Sequence, residues 1–164
     1  MQPCPLLIMF TPAERSPMNN FTYKYDFFEN YDAYENMAHD RMNLEEANRI
    51  FTEYHDSLDF SEEYFREEYS KLVSHAIRYA GIRAAWSGLD REEKVREDSS
   101  RTNAHNMFLN DVERYAGYMK RNGKDIGWFE KLGQGIEPEE INLKRKRIGD
   151  WACYIALFVA LNQR

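Results

Sequence analysis

WACYIALFVAL, residues 151–161, is the longest apolar run in the chain and the stretch that decides the fold. Eleven residues fall well short of the ~20 needed to span a bilayer and match a helix buried in a protein core. A helix with so few polar positions must be covered on most of its sides, so the rest of the chain has to supply the cover. Upstream, Pro138 reads as a first-turn proline, with Glu139 and Glu140 favouring the positive helix end, and the last helix runs from there to about Asn162.

The covering segments show helical spacing. Arg101, His105, Phe108, Val112, Tyr115 and Met119 advance by threes and fours, which at 3.6 residues per turn places them on one stripe of a helix from about Ser99 to Arg121. Asn122-Gly123 ends that helix, and the charged stretch 90–98 before it reads as a separate, solvated turn capped by Asp90 and Glu93. Phe65, Tyr69, Leu72, Ala76, Tyr79 and Trp86 recur with the same period in a helix that starts at Asp59 or Ser61 and stops at Ser87-Gly88. Asn43 caps a helix over about 44–57, with Glu46 three residues on. A first helix is expected at 26–38, with Phe27, Phe28, Tyr31, Tyr34 and Met37 as its apolar side. No strand-like alternation and no internal repeat interrupts this pattern. The expected fold is all-α, a single-domain bundle of five or six helices with the last at its centre.

At 164 residues the chain is of one-domain size. Four of its five prolines fall within residues 1–17, which read as a leader or an upstream extension of a domain covering 18–164. The apolar run Pro5 to Phe10 has no Lys or Arg before it and no small-residue cleavage site, so it does not read as a signal peptide. The net charge of −6 argues against bulk binding to nucleic acid or anionic membrane. Cys4 and Cys153 stand at opposite ends and form no disulfide framework, which points to a reducing, cytoplasmic setting.

Charge is divided along the chain. Residues 19–70 hold fourteen acids and four bases, whereas 71–164 hold thirteen acids and seventeen bases. One reading packs acidic helices against basic ones and solvates the remainder. The other is a functional face: Asp26, Glu29, Asp32 and Glu35 are spaced by three among aromatics that include Tyr31 and Tyr34, and exposed tyrosine beside carboxylate suits a basic protein surface. Such a face fits a cleft that normally holds nucleic acid. Lys144, Arg145, Lys146 and Arg147 form the one strong basic cluster, a short candidate for phosphate contact.

The stripe on the Ser99–Arg121 helix ends in Arg101 and His105, Arg83 sits in the seam slot between Tyr79 and Trp86, and Asp150 is the one charge between Arg147 and Arg164. Buried charge is costly unless paired, so Asp150 is expected to meet Arg83, Arg101 or His105. As a structural network these residues hold helices together. As a catalytic site, His105 would be the base, Arg101 would hold a phosphate, and Asp98, Asp111 or Asp150 would orient the imidazole. This pairing is similar to that of helical ribonucleases of the HEPN type, which carry an Arg and a His on one helix. Here only three residues separate the two, and Thr102 follows the Arg.

Other chemistry lacks its motif. The four histidines are sixteen or more residues apart, without zinc-ligand spacing, and His75 reads as a core or boundary histidine. Gly133-Gln134-Gly135 lacks the rest of a phosphate loop, and no serine stands in a nucleophile elbow. Neither a cofactor nor a metal is expected.

Residues 98–108 (DSSRTNAHNMF) and 145–161 (RKRIGDWACYIALFVAL), with KRNGKDIGWFEKLG between them, resemble a family of small proteins from Gram-positive bacteria, their phages and integrative elements, known as a domain of unknown function. The resemblance spans roughly 79–164 and rests on Arg101, Thr102, His105, Asn106, Trp128, Gly149, Asp150, Cys153 and Tyr154. It implies a mobile-element setting and assigns no activity. The leading expectation is a non-enzymatic protein-binding module, a phage or mobile-element factor that inhibits a host machine such as a CRISPR-type defence nuclease. A small hydrolase or nuclease using Arg101, His105 and Asp150 is the alternative, and a nucleic-acid-binding regulator acting through Lys144–Arg147 comes third. The expected partner is a basic protein, with no membrane and no direct nucleic acid; self-association is left open.

Overall fold

The computed structural model describes residues 42–86 and 88–163. The leader, the expected helix at 26–38 and its face of Asp26, Glu29, Tyr31, Asp32, Tyr34 and Glu35 lie outside the described residues. Within them the chain forms α1 (Leu44–Asp56), α2 (Glu63–Trp86), α3 (Arg91–Arg121), α4 (Gly127–Leu132) and α5 (Ile141–Gln163), with no strand. The all-α bundle expected from the patterning is the fold.

α5 touches each of the other four described helices. Ile148 and all residues from Trp151 to Val159 are essentially inaccessible to solvent. α2 packs along both α5 and α3, while α1 lies across α4 and α5. The aromatic rings of Phe51, Tyr54, Tyr115, Trp128, Trp151 and Phe158 interlock where α1, α3, α4 and α5 converge, several edge to face.

Local chemistry sets the helix ends. The Asn43 side chain accepts the Glu46 amide at 2.9 Å and opens α1. α3 starts with a capping box, in which Asp90 accepts the Glu93 amide and the Glu93 carboxylate accepts the Asp90 amide. It ends in a Schellman turn: Lys124 donates to the Met119 carbonyl and Gly123 to that of Lys120, with Gly123 at φ 68°.

Two expected boundaries are corrected. The stretch 90–98 is no separate turn but the first quarter of α3, a single helix of 31 residues, ~46 Å long. Its polar residues mark a solvent-facing side rather than a break, and neither Gly nor Pro interrupts 91–116. Pro138 does not begin the last helix, which starts three residues later at Ile141. The proline takes the second position of a turn closed by the Glu140 amide on the Glu137 carbonyl, a place that its fixed φ favours.

Candidate functional site

α2 and α3 run antiparallel, as their cross-helix contacts show: Tyr64 meets Tyr118, Glu68 meets Arg114, His75 meets Asp111, Arg78 meets Met107, and Trp86 meets Arg101. This hairpin carries three polar assemblies, one at each end and one in the middle.

At the end formed by the last turns of α2, the expected cluster does come together around the head of α5. The His105 Nε2–H donates to the Arg145 carbonyl at 3.1 Å, which fixes the tautomer and leaves Nδ1 as the bare nitrogen of the neutral ring. Burial lowers the His105 pKa, and the charges of Arg145, Arg83 and Arg101 lower it further, against the opposing effect of that hydrogen bond. The close approach requires glycine at 149, since a Cβ there would lie 2.7 Å from His105 Nε2. Arg83 donates to the Tyr79 hydroxyl at 2.6 Å, and Arg101 to Asp98 at 2.7 Å while stacking on Trp86. Asp150 is buried nearby, and its charge acts on Arg83 and Tyr79. Around this cluster Arg83 bonds Tyr79, Arg101 bonds Asp98 and His105 bonds Arg145, and of the three expected partners of Asp150 it is Arg83 on which its charge acts.

The side chains of the basic cluster reach different neighbours. Arg145 faces α3 and donates to Asn106 at 2.6 Å. Lys144 lies over the Phe129 ring, Arg147 reaches the Gln134 carbonyl, and Lys146 is exposed. Successive residues point about 100° apart around a helix, so Lys144 and Arg147 return to one side, toward Gly133 and Gln134, while Arg145 turns to α3.

In the middle of the hairpin is an assembly that the spacing did not reveal. His75 Nδ1 donates to Asp111, whose other oxygen accepts from Arg114 at 3.0 Å, and Arg114 also grips both oxygens of Glu68 at 3.0 and 3.4 Å. Both carboxylates are buried. Asp111 was a candidate to orient His105; it orients His75, one helix away. The available signal was the antiparallel register itself, which brings 68 opposite 114 and 75 close to 111.

At the opposite end, the α1–α2 turn is pinned to α3 by the Tyr115 hydroxyl, which bonds the Ser57 hydroxyl and carbonyl at 2.9 and 3.2 Å. Beside it opens a groove of about 490 Å³ lined by Asp59, Glu62, Phe65, Tyr118, Lys124 and Asp125 among others. The Ser61 hydroxyl and amide hold the Asp59 carboxyl below its usual range, so it is charged at neutral and mildly acidic pH.

Among the described residues no three His, Cys, Asp or Glu side chains gather to hold a metal, and no helix is long and apolar enough to cross a membrane. Comparison of the chain with protein-family models, curated proteins and solved structures found no match.

Proposed function

We propose that the chain is a non-enzymatic protein-binding module that takes a basic protein partner on an acidic, aromatic-edged surface. On this reading it works in the cytoplasm as a phage or mobile-element factor that blocks a bacterial host machine. A defence nuclease of the CRISPR type has the chemistry required, because its nucleic-acid channel is basic. The observation that carries the reading is the groove at the start of α2, lined by three carboxylates, Asp59, Glu62 and Asp125, against one cation, Lys124, together with the rings of Phe65 and Tyr118. Carboxylates attract a Lys or Arg side chain, and the aromatic rings give its stem and charge a surface to lie on. The groove extends into the described residues the acidic character of residues 19–70. The fixed contacts of His105 with Arg145, Tyr79 and Gly149 fit a structural part better than a base that must meet a substrate.

The test is affinity capture from a Gram-positive host lysate with two baits, the native chain and Asp59→Lys/Glu62→Lys/Asp125→Lys. A basic protein held by the native bait and lost from the reversed one is the expected result. The same proteins on both baits would remove the groove from the account.

A further inference from the structure

The Trp86 end of the hairpin carries a second groove, of opposite chemistry, which the protein-binding reading does not use. It measures about 500 Å³ and is lined by Trp86, Arg91, Lys94, Val95 and Asp98. Arg91, Lys94, Val95 and Asp98 fall at helical spacing on one face of the first two turns of α3, opposite the ring of Trp86. Val95 is 72% exposed at the rim, the most exposed large apolar side chain among the described residues.

Its charges are unequally matched. The Asp98 carboxylate is taken by Arg101 at 2.7 Å, and the Arg101 guanidinium is also stacked 4.1 Å from the Trp86 ring centre. Arg91 and Lys94 have no ion-pair partner among the described residues. The groove therefore offers the part of the Trp86 indole left by Arg101 and by its packing on the core, the Val95 side chain, and two cations without an ion-pair partner among the described residues. A flat ring against Trp86 with an anionic group on Arg91 and Lys94 satisfies both features. A purely apolar ligand leaves the cations unused, and a purely anionic one leaves the indole unused.

We infer that this groove binds a nucleoside phosphate, with the base against Trp86 and Val95 and the phosphate on Arg91 and Lys94. Base stacking on an aromatic side chain tolerates any base, so the phosphate and the ring set recognition, not the sequence. The net charge of −6 opposes binding along a polyanion but not capture of one phosphate in a local basic pocket. The same chemistry is presented by a free nucleotide and by the phosphorylated 5′ end of a chain.

The chain has three tryptophans, and Trp128 and Trp151 are buried at 2% and 0% exposure, so the indole N–H resonance of Trp86 is a specific reporter. It is assigned by its loss in Trp86→Phe. Titration with adenosine 5′-monophosphate is expected to move it saturably while the other two indole signals stay in place. Adenosine is expected to bind ~10-fold or more weakly, because the charge-assisted contacts to phosphate are lost. Arg91→Glu/Lys94→Glu, two groove-lining changes in the first turns of α3, should weaken the nucleotide by at least that factor with the rest of the spectrum unchanged. A 5′-phosphorylated dinucleotide binding as tightly as the mononucleotide assigns the groove to chain ends, and weaker binding assigns it to free nucleotides. An immobile Trp86 signal, equal affinity for adenosine and its phosphate, competition by oligoglutamate as strong as by the nucleotide, or an indifferent double variant would overturn the inference.

Discussion

His105 and Arg114 show how single side chains tie this bundle together, and each has a measurable signature. Burial and three neighbouring guanidinium groups lower the His105 pKa below its ordinary value of 6.5. The unfolded chain therefore binds more protons than the folded one as pH falls, and the stability that neutral His105 contributes above pH ~6.5 is lost below it. Denaturant titrations at pH 7.5 and pH 5 should show a smaller loss for His105→Gln, which keeps an N–H for the Arg145 carbonyl, than for the native chain. Partner binding per folded molecule should be unchanged; RNA or phosphoester turnover lost in the folded variant would instead establish catalysis. Arg114 compensates two buried carboxylates. Arg114→Met should destabilise by ~2–4 kcal/mol, below the full cost of breaking a buried pair because the guanidinium is partly in water. Urea melts measure this directly. The sequence did not disclose this network, because periodicity ranks positions by burial but does not say which buried charge meets which. His75 and Asp111 are 36 residues apart, and their meeting is set by the register of two long helices.

Whole helices were more legible than their joints. The stripe from Arg101 to Met119, the Asn43 cap and the apolar run beginning at Trp151 each follow from local spacing, and the structure places the stripe and the cap as read and buries the run through Val159. Joints depend on competing local signals. The polar run through Asp98, Ser99 and Ser100 has the composition of a loop, yet the capping box at Asp90 starts a helix that nothing downstream stops. A substitution separates the two readings. Were residues 98–100 a joint, proline at 99 would be tolerated as a first-turn residue. Inside a continuous α3 it removes the bond to the residue four positions back and clashes with that carbonyl. Ser99→Pro should therefore cost ~3 kcal/mol or more, read as a fall in the unfolding midpoint.

Over the whole molecule, α2 separates two unlike surfaces by the length of its 24 residues, ~36 Å. Its first turns border the groove of Asp59, Glu62 and Asp125, and its last residue, Trp86, borders the groove of Arg91 and Lys94. From Ile148 to Val159 α5 is buried and holds the hairpin between these ends. Among the described residues the bundle thus has a packed interior and two chemically distinct ends. At the acidic end, attraction to a basic partner acts before contact and is screened over ~8 Å at physiological salt. Association kinetics with the captured partner across a salt series test this most directly. The account predicts an on-rate that falls as salt rises, and a lower, flatter on-rate for Asp59→Lys/Glu62→Lys/Asp125→Lys in a chain that remains folded. An on-rate and salt slope identical for the native and reversed chains would contradict it.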